Sequence, residues 1–529
     1  MYKVLFILGK GGSNGIVVPA PTGKGRDMVF RCKLIALFLA IAISQAFAVD
    51  SLNIWIMPNG ASPQEKLEQE LETFTAKTQI PVKVTVLDWG EAWNRISTTL
   101  ENKENAPDVL QLGSTWVPYF AARGELKNLN EILEQVDSTR FVPVSWYTSH
   151  IDSDTNIYAV PWFIDVRPVL GNKRIMKKYG ITPESIRDYK GFSDAIRKVN
   201  EGKELLEYGA KIRGYAFPGK SDWNIPHNFA PWIWSYGGRL VDKDKNGKWH
   251  ASILSAPTLE GIAKYLSFIV DSLVSTESLQ SNSAEIAQQF NNGEFAFIVS
   301  TAEIVMQTRI HGSQGGLSDA RIAQDSVIVL PIPNGRAGSV SFLGGSNLAI
   351  PAINTKEEAV QLLLFLTADS SLDAYTKQIG FLPASKKVLE SWAEDEAYKN
   401  LVALLETGRT YPALPEWGTI EQTLVSMFSA VWDLLEIPAL YSEEKLYRIF
   451  KEKSDIIDSQ LGYTPTHTMT FAEFQEIWQR SIVKSDTTEQ APDQAKEPEG
   501  ISINPTLYVF FVVLVISFIF SYTRKRKKR

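Results

Sequence analysis

Three kinds of side chain in this 529-residue sequence could do chemistry: five histidines, 60 acidic residues and 14 tryptophans. The histidines (His150, His227, His250, His311, His467) are scattered and follow no HExxH or other metal-ligand spacing, so no zinc site is expected. Asp242-Lys-Asp-Lys-Asn-Gly247 opens like a calcium loop, but its twelfth position is Ile253, where a bidentate Glu is required. It is expected instead to be a hairpin turn between Arg239–Val241 and Lys248–His250. No GxSxG elbow lies in the body after residue 48, and acids without a set spacing do not define a glycosidase pair. The sequence is therefore read as a non-enzyme with no catalytic residue, metal or cofactor. Tryptophan is what remains. An indole plate beside Asp, Asn or Arg suits a polyhydroxylated ring, which has an apolar C–H face and a rim of hydroxyls.

Several of these residues fall on predicted loops. Trp116 closes Gly113-Ser-Thr-Trp116, a turn that would present Ser114, Thr115 and the indole together. Asn59 lies in Met57–Ala61, at the carboxyl end of a strand, Leu52–Ile56. Trp223 and Asn224 precede a helix-like stretch carrying Trp232 and Trp234, which divide between core and ligand surface. Gly344, Gly345 and Ser346 would let the backbone approach a ligand closely. Trp55 and Trp432 are expected to be core.

The elements that must hold these loops are legible. Leu52–Ile56 alternates like a strand; Ser62-Pro-Gln-Glu65 reads as a capping box opening a helix with Leu67, Leu71 and Phe74 on one face; Val82–Val86 is a second strand. In such βαβ units ligands sit at the carboxyl ends of the strands. Ile420, Leu424, Met427, Phe428, Val431 and Leu435 follow the period of an amphipathic helix.

The two ends address the chain. Arg31 and Lys33, the apolar run Leu34–Ile43 and Ala46-Phe47-Ala48 make a secretory signal, with cleavage expected before Val49 and translation plausibly starting at Met28 (leader 1–48). The one cysteine, Cys32, precedes the apolar run, so the mature chain is expected to have no disulfide and no lipid-acceptor thiol. Residues 485–500 read as a disordered tether, 501–523 as a transmembrane helix and 524–529 as a basic cytoplasmic tail. Both ends are basic, so the body is more acidic than the net charge of −6 suggests, which excludes a nucleic-acid partner.

Within the body, Ala106–Trp116, Phe120–Leu126, Tyr158–Asp165, Phe290–Ala296, Leu330–Ile350, Gly380–Ser385 and Tyr411–Trp417 occur in an order that resembles the carbohydrate-binding, maltose-binding-protein-like family of extracellular solute-binding proteins of ABC transporters. The resemblance implies an α/β, two-lobed periplasmic-binding-protein (type II) fold with an interlobe cleft, to which the C-terminal transmembrane helix is added. The solute-binding domain is placed at 49–463, with lobe 1 at about 49–164 and 345–398 and lobe 2 at about 165–344 and 399–463; 464–484 has no assignment. It also implies that Asp165 is a sugar-binding carboxylate, with pairing to Arg167 as the alternative, and that Trp417 is a stacking aromatic. Asn59 stands where the maltose binder has a charged pair, so a ligand class can be inherited but not a particular sugar. The implied function is capture of an oligosaccharide or related polyol by a monomeric ectodomain on the outer face of the cytoplasmic membrane, and its delivery to ABC permease subunits. A ligand-occupancy sensor working through a separate membrane partner is the alternative.

Overall fold

A computed structural model describes residues 51–483, apart from 153, 220 and 221. In chain order its strands are β1 (Leu52–Ile56), β2 (Val82–Val86), β3 (Val109–Gly113), β4 (Ala159–Arg167), β5 (Val169–Asn172), β6 (Arg213–Ala216), β7 (Val241–Lys243), β8 (Trp249–Ala251), β9 (Phe295–Val299), β10 (Val327–Leu330), β11 (Phe342–Ala349) and β12 (Leu382–Pro383). They form a six-stranded sheet ordered β12-β4-β11-β3-β1-β2, a four-stranded sheet ordered β10-β5-β9-β6, and the hairpin β7-β8.

Only Pro168 separates β4 of the first sheet from β5 of the second, so the chain crosses between lobes there. It returns between β10 and β11. β4 is buried along all nine residues and pairs antiparallel with β11, setting Asp165 opposite Gly344 and Ile164 opposite Gly345. A side chain is intolerable at Gly345: its φ is +140°, and a Cβ would stand 2.2 Å from the Phe163 carbonyl oxygen. The two glycines thus let this interlobe pair run as close-packed backbone.

In the first lobe, β1 and β2 pair in parallel through the helix Pro63–Thr78, which buries Leu67, Leu71 and Phe74. The expected capping box does not form. Ser62 sits in the left-handed region (φ 50°, ψ 51°), where its hydroxyl caps nothing, and Pro63 begins the helix without it. The second lobe is built around aromatic packing: Phe229 stacks on Phe428 with centroids 3.8 Å apart, and Trp432 lies against Phe217 and Phe229. The helix Trp417–Glu436 buries the whole predicted apolar stripe. β7 and β8 form the predicted hairpin one or two residues later than expected, its turn held by Asp244, which accepts from the Asn246 and Lys248 N–H groups. Residues without an assignment from sequence form the helix Phe471–Val483, whose Phe474 and Trp478 enter the core of the second lobe.

The expectation of a C-terminal transmembrane helix as part of this fold is corrected. Among the described residues no helix is long and apolar enough to cross a membrane. Residues 501–523, on which that helix was placed, lie outside the described residues, as do the leader, the tether and the basic tail.

Candidate functional site

An aromatic chain runs from one lobe to the other across the β4–β11 pair. On the first lobe the helix Trp89–Asn102 carries Trp89 and Trp93 one turn apart, and Trp116 meets both edge-on, with centroids at 5.6 and 5.4 Å. The Trp89 indole N–H donates to the Pro58 carbonyl at 3.1 Å, tying this wall to the loop after β1. From the second lobe Trp223, 45% exposed, stacks on Trp89 at 5.7 Å and 20°. Trp223 then abuts His227, which stacks on Phe342 at 4.4 Å, and Tyr411 stacks on Trp417 at 4.4 Å beside them.

Charged groups lie within this aromatic frame. Arg167 Nε donates to Asp165 Oδ2 at 3.1 Å, and its guanidinium stands over the Phe342 ring. Asp165 Oδ1 is buried and accepts no hydrogen bond from the described residues. A buried carboxylate oxygen left without a donor is costly, and a hydroxyl-bearing ligand is the kind of group that relieves it. Beside it Glu303 is pushed up to about 7, first by burial and then by the Asp165 charge. Across the site Thr115 Oγ1 of the first lobe donates to Glu421 Oε2 of the second at 3.4 Å. Burial pushes Glu421 up to about 7 as well. His227 lies 3.4 Å from Glu421 and 3.0 Å from the Tyr411 hydroxyl. Burial, then the Arg167 charge, holds its imidazole well below its ordinary value, so it is neutral here. The site thus sets acids, an imidazole and hydroxyls able to hydrogen-bond beside indole and phenyl plates. Among the described residues no cluster of three His, Cys, Asp or Glu could hold a metal ion.

The structure brings Thr115, Trp116, Asp165 and Trp223 into this arrangement, whereas Trp417, expected as a stacking aromatic for the ligand, is 1% exposed at the start of its helix and stacks on Tyr411. Asn59 and Ser346 lie beneath it, both joined to Gln111: Asn59 and Gln111 exchange amide hydrogen bonds at 2.8 and 3.1 Å, and Gln111 Nε2 donates to Ser346 Oγ at 2.7 Å. The Ser114 N–H donates to the Gly345 carbonyl at 3.0 Å, stitching the Trp116 turn to β11. Asn224 is turned to Ser283, to which its amide donates at 3.2 Å. Trp232 is not brought to the cleft. It is 1% exposed and packs against Phe268 and Tyr265, because the helix Ile225–Ser235 is buried all round.

Sequence reasoning missed Trp89, Trp93, Gln111, Glu303 and Glu421. Three of these left a signal. Trp89 and Trp93 stand four residues apart at the start of a helix that follows a strand, and Glu421 is an acid directly beside Ile420, which begins the apolar stripe. Gln111 and Glu303 gave none, since only folding brings them to Asn59 and Asp165.

The Thermotoga lettingae ABC transporter solute-binding protein, solved with α-D-tagatose, superposes with a TM-score of 0.67 at 21% identity, covering 78% of this chain and 100% of that one. Maltose-bound MalE3 of T. maritima gives a TM-score of 0.65 at 20% identity, covering 77% and 99%. Both likenesses are of fold. The diacetylchitobiose binding protein DasA of Streptomyces coelicolor is 26% identical over 387 residues, which is 72% of this chain and 83% of that protein. The family model for bacterial extracellular solute-binding proteins matches residues 70–404. With more than half its length under that match, the chain belongs to the bacterial extracellular solute-binding protein family.

Proposed function

We propose that this protein captures a saccharide or related polyol in the interlobe cleft, without cleaving it, and delivers it to the permease of an ABC transporter from the extracytoplasmic side. The observation that carries this reading is the indole frame drawn from both lobes, together with a buried Asp165 oxygen that no described residue hydrogen-bonds. Aromatic plates receive the apolar faces of a sugar ring, and Asp165, Thr115 and Glu421 meet its hydroxyls. Domain closure about the Pro168 crossing would bring the walls onto the ligand. The relatives are consistent with this reading: one is named for diacetylchitobiose, and solved structures of similar fold hold tagatose and maltose. The test is a fluorescence titration of the full-length protein, since Trp89 and Trp223 touch across the cleft. Saturable change with saccharides and none with amino acids is expected; the reverse would remove the proposal.

A further inference from the structure

Beside the aromatic frame lies a cavity of ≈ 190 Å³, bounded by Arg239, Arg409, Tyr147, Trp234, Trp249 and Trp417 among others. Trp417 and Tyr411, stacked on each other, form its wall toward the aromatic frame. Both lobes build it. Tyr147 of the first lobe accepts from the Ala413 N–H at 3.1 Å, and its hydroxyl donates to Asp152 at 3.1 Å. The volume is below the roughly 300–1,000 Å³ of a pocket for a drug-sized ligand, so it suits one terminal unit of a larger molecule.

Among the described residues its lining carries two arginines and no carboxylate. The acids nearby are engaged: Asp152 accepts from Lys243 at 3.1 Å and Trp249 at 3.3 Å, and Asp242 faces Arg239 at 3.6 Å. Arg409 is different. Its backbone is fixed to the interlobe segment by hydrogen bonds with Ser341 and Leu343, at 2.9 and 2.7 Å. Its guanidinium lies 5.9 Å from the Trp234 centroid, and among the described residues it forms no ion pair. Burial, and then the Arg239 charge, lower its pKa against weaker opposition from the Asp242 charge. A guanidinium partly withdrawn from water and set beside a second one, with the shared Asp242 as the one carboxylate whose charge reaches it, is completed by an anion, which its planar fork can hold through two bonds.

We propose that this cavity takes an anionic group of the bound ligand, a carboxylate or a phosphate, with Arg409 as its principal partner and Arg239 as the second, so that the ligand is an acidic saccharide. This rests on the saccharide reading of the cleft. The stacked rings then receive the neutral part of the molecule and the arginines its charged end.

Calorimetry on the full-length protein tests this with matched probes: cellobiose against cellobiouronic acid for the carboxylate, and trehalose against trehalose 6-phosphate for the phosphate. In at least one arm the acidic member is expected to bind about tenfold tighter or better. Arg409→Gln should erase that preference while leaving the neutral member's affinity unchanged, and Arg409→Lys should restore part of it. Urea midpoints of the variants check the fold. Should Arg409→Gln not fold, salt serves on the unaltered protein: raising it should weaken the acidic member alone. Equal binding of neutral and acidic members in both arms, or a preference that survives Arg409→Gln, overturns this proposal and leaves the saccharide reading standing. Binding of no probe, with binding of a non-saccharide, overturns both.

Discussion

Replacing Glu421 by Gln should flatten part of the protein's pH dependence. Glu421 is 7% exposed on the helix Trp417–Glu436. Burial carries its carboxyl from 4.5 up to about 7, against weaker opposition from the Thr115 hydroxyl and the Arg167 charge. An acid with a raised folded pKa holds its proton more tightly folded than unfolded. Its contribution is therefore whole below the unfolded value of 4.5 and is lost as pH climbs toward 7. At about 1.4 kcal/mol per pH unit this amounts to roughly 3 kcal/mol. Glu421→Gln keeps the size and the hydrogen bonding but cannot ionise. Urea unfolding of both proteins between about pH 5 and pH 8, extrapolated to water, gives the difference residue by residue, because Glu303, which shifts in the same direction, cancels. The variant should gain on the unaltered protein by roughly 3 kcal/mol across that window. A difference that stays flat within about 0.5 kcal/mol would refute the claim that burial sets this carboxyl's charge.

Three further substitutions probe the frame. At Gly418 a Cβ would stand 2.4 Å from the Trp93 ring across the lobes, so Gly418→Ala should weaken ligand binding in calorimetry by about tenfold with little change in melting temperature. Phe428→Ala removes a fully buried ring stacked at 3.8 Å on Phe229 and should cost about 3–5 kcal/mol in urea unfolding. Gly345→Ala meets both a φ of +140° and the Phe163 carbonyl, so thermal unfolding should show a loss of at least about 1–3 kcal/mol.

The parts of the fold legible in sequence were those set by local period or by punctuation. The β1–helix–β2 unit and the stripe from Ile420 to Leu435 announced themselves because apolar side chains recur on one face. The hairpin turn was legible because Asp244 and Gly247 supply the local hydrogen bonds and the positive φ that it needs. The capping box misled because the motif specifies a hydrogen bond only if the capping residue is extended, and Ser62 is not. The site was half legible. Trp116 and Trp223 stood out as large aromatics on loops, but Trp232 and Trp417 share that composition and are each 1% exposed. The polar half was hidden, because Gln111 reaches Asn59 and Ser346, and Glu421 reaches Thr115, only through tertiary contacts across 52, 235 and 306 residues.

The central claim is that the cleft binds saccharides, and thermal unfolding of the full-length protein in their presence tests it most directly. A saccharide at 100 times its dissociation constant should add about 2.7 kcal/mol of stability, and Asp165→Ala should remove that gain without unfolding the protein. Stabilisation by amino acids or peptides, with none from any neutral or acidic saccharide, would contradict the account.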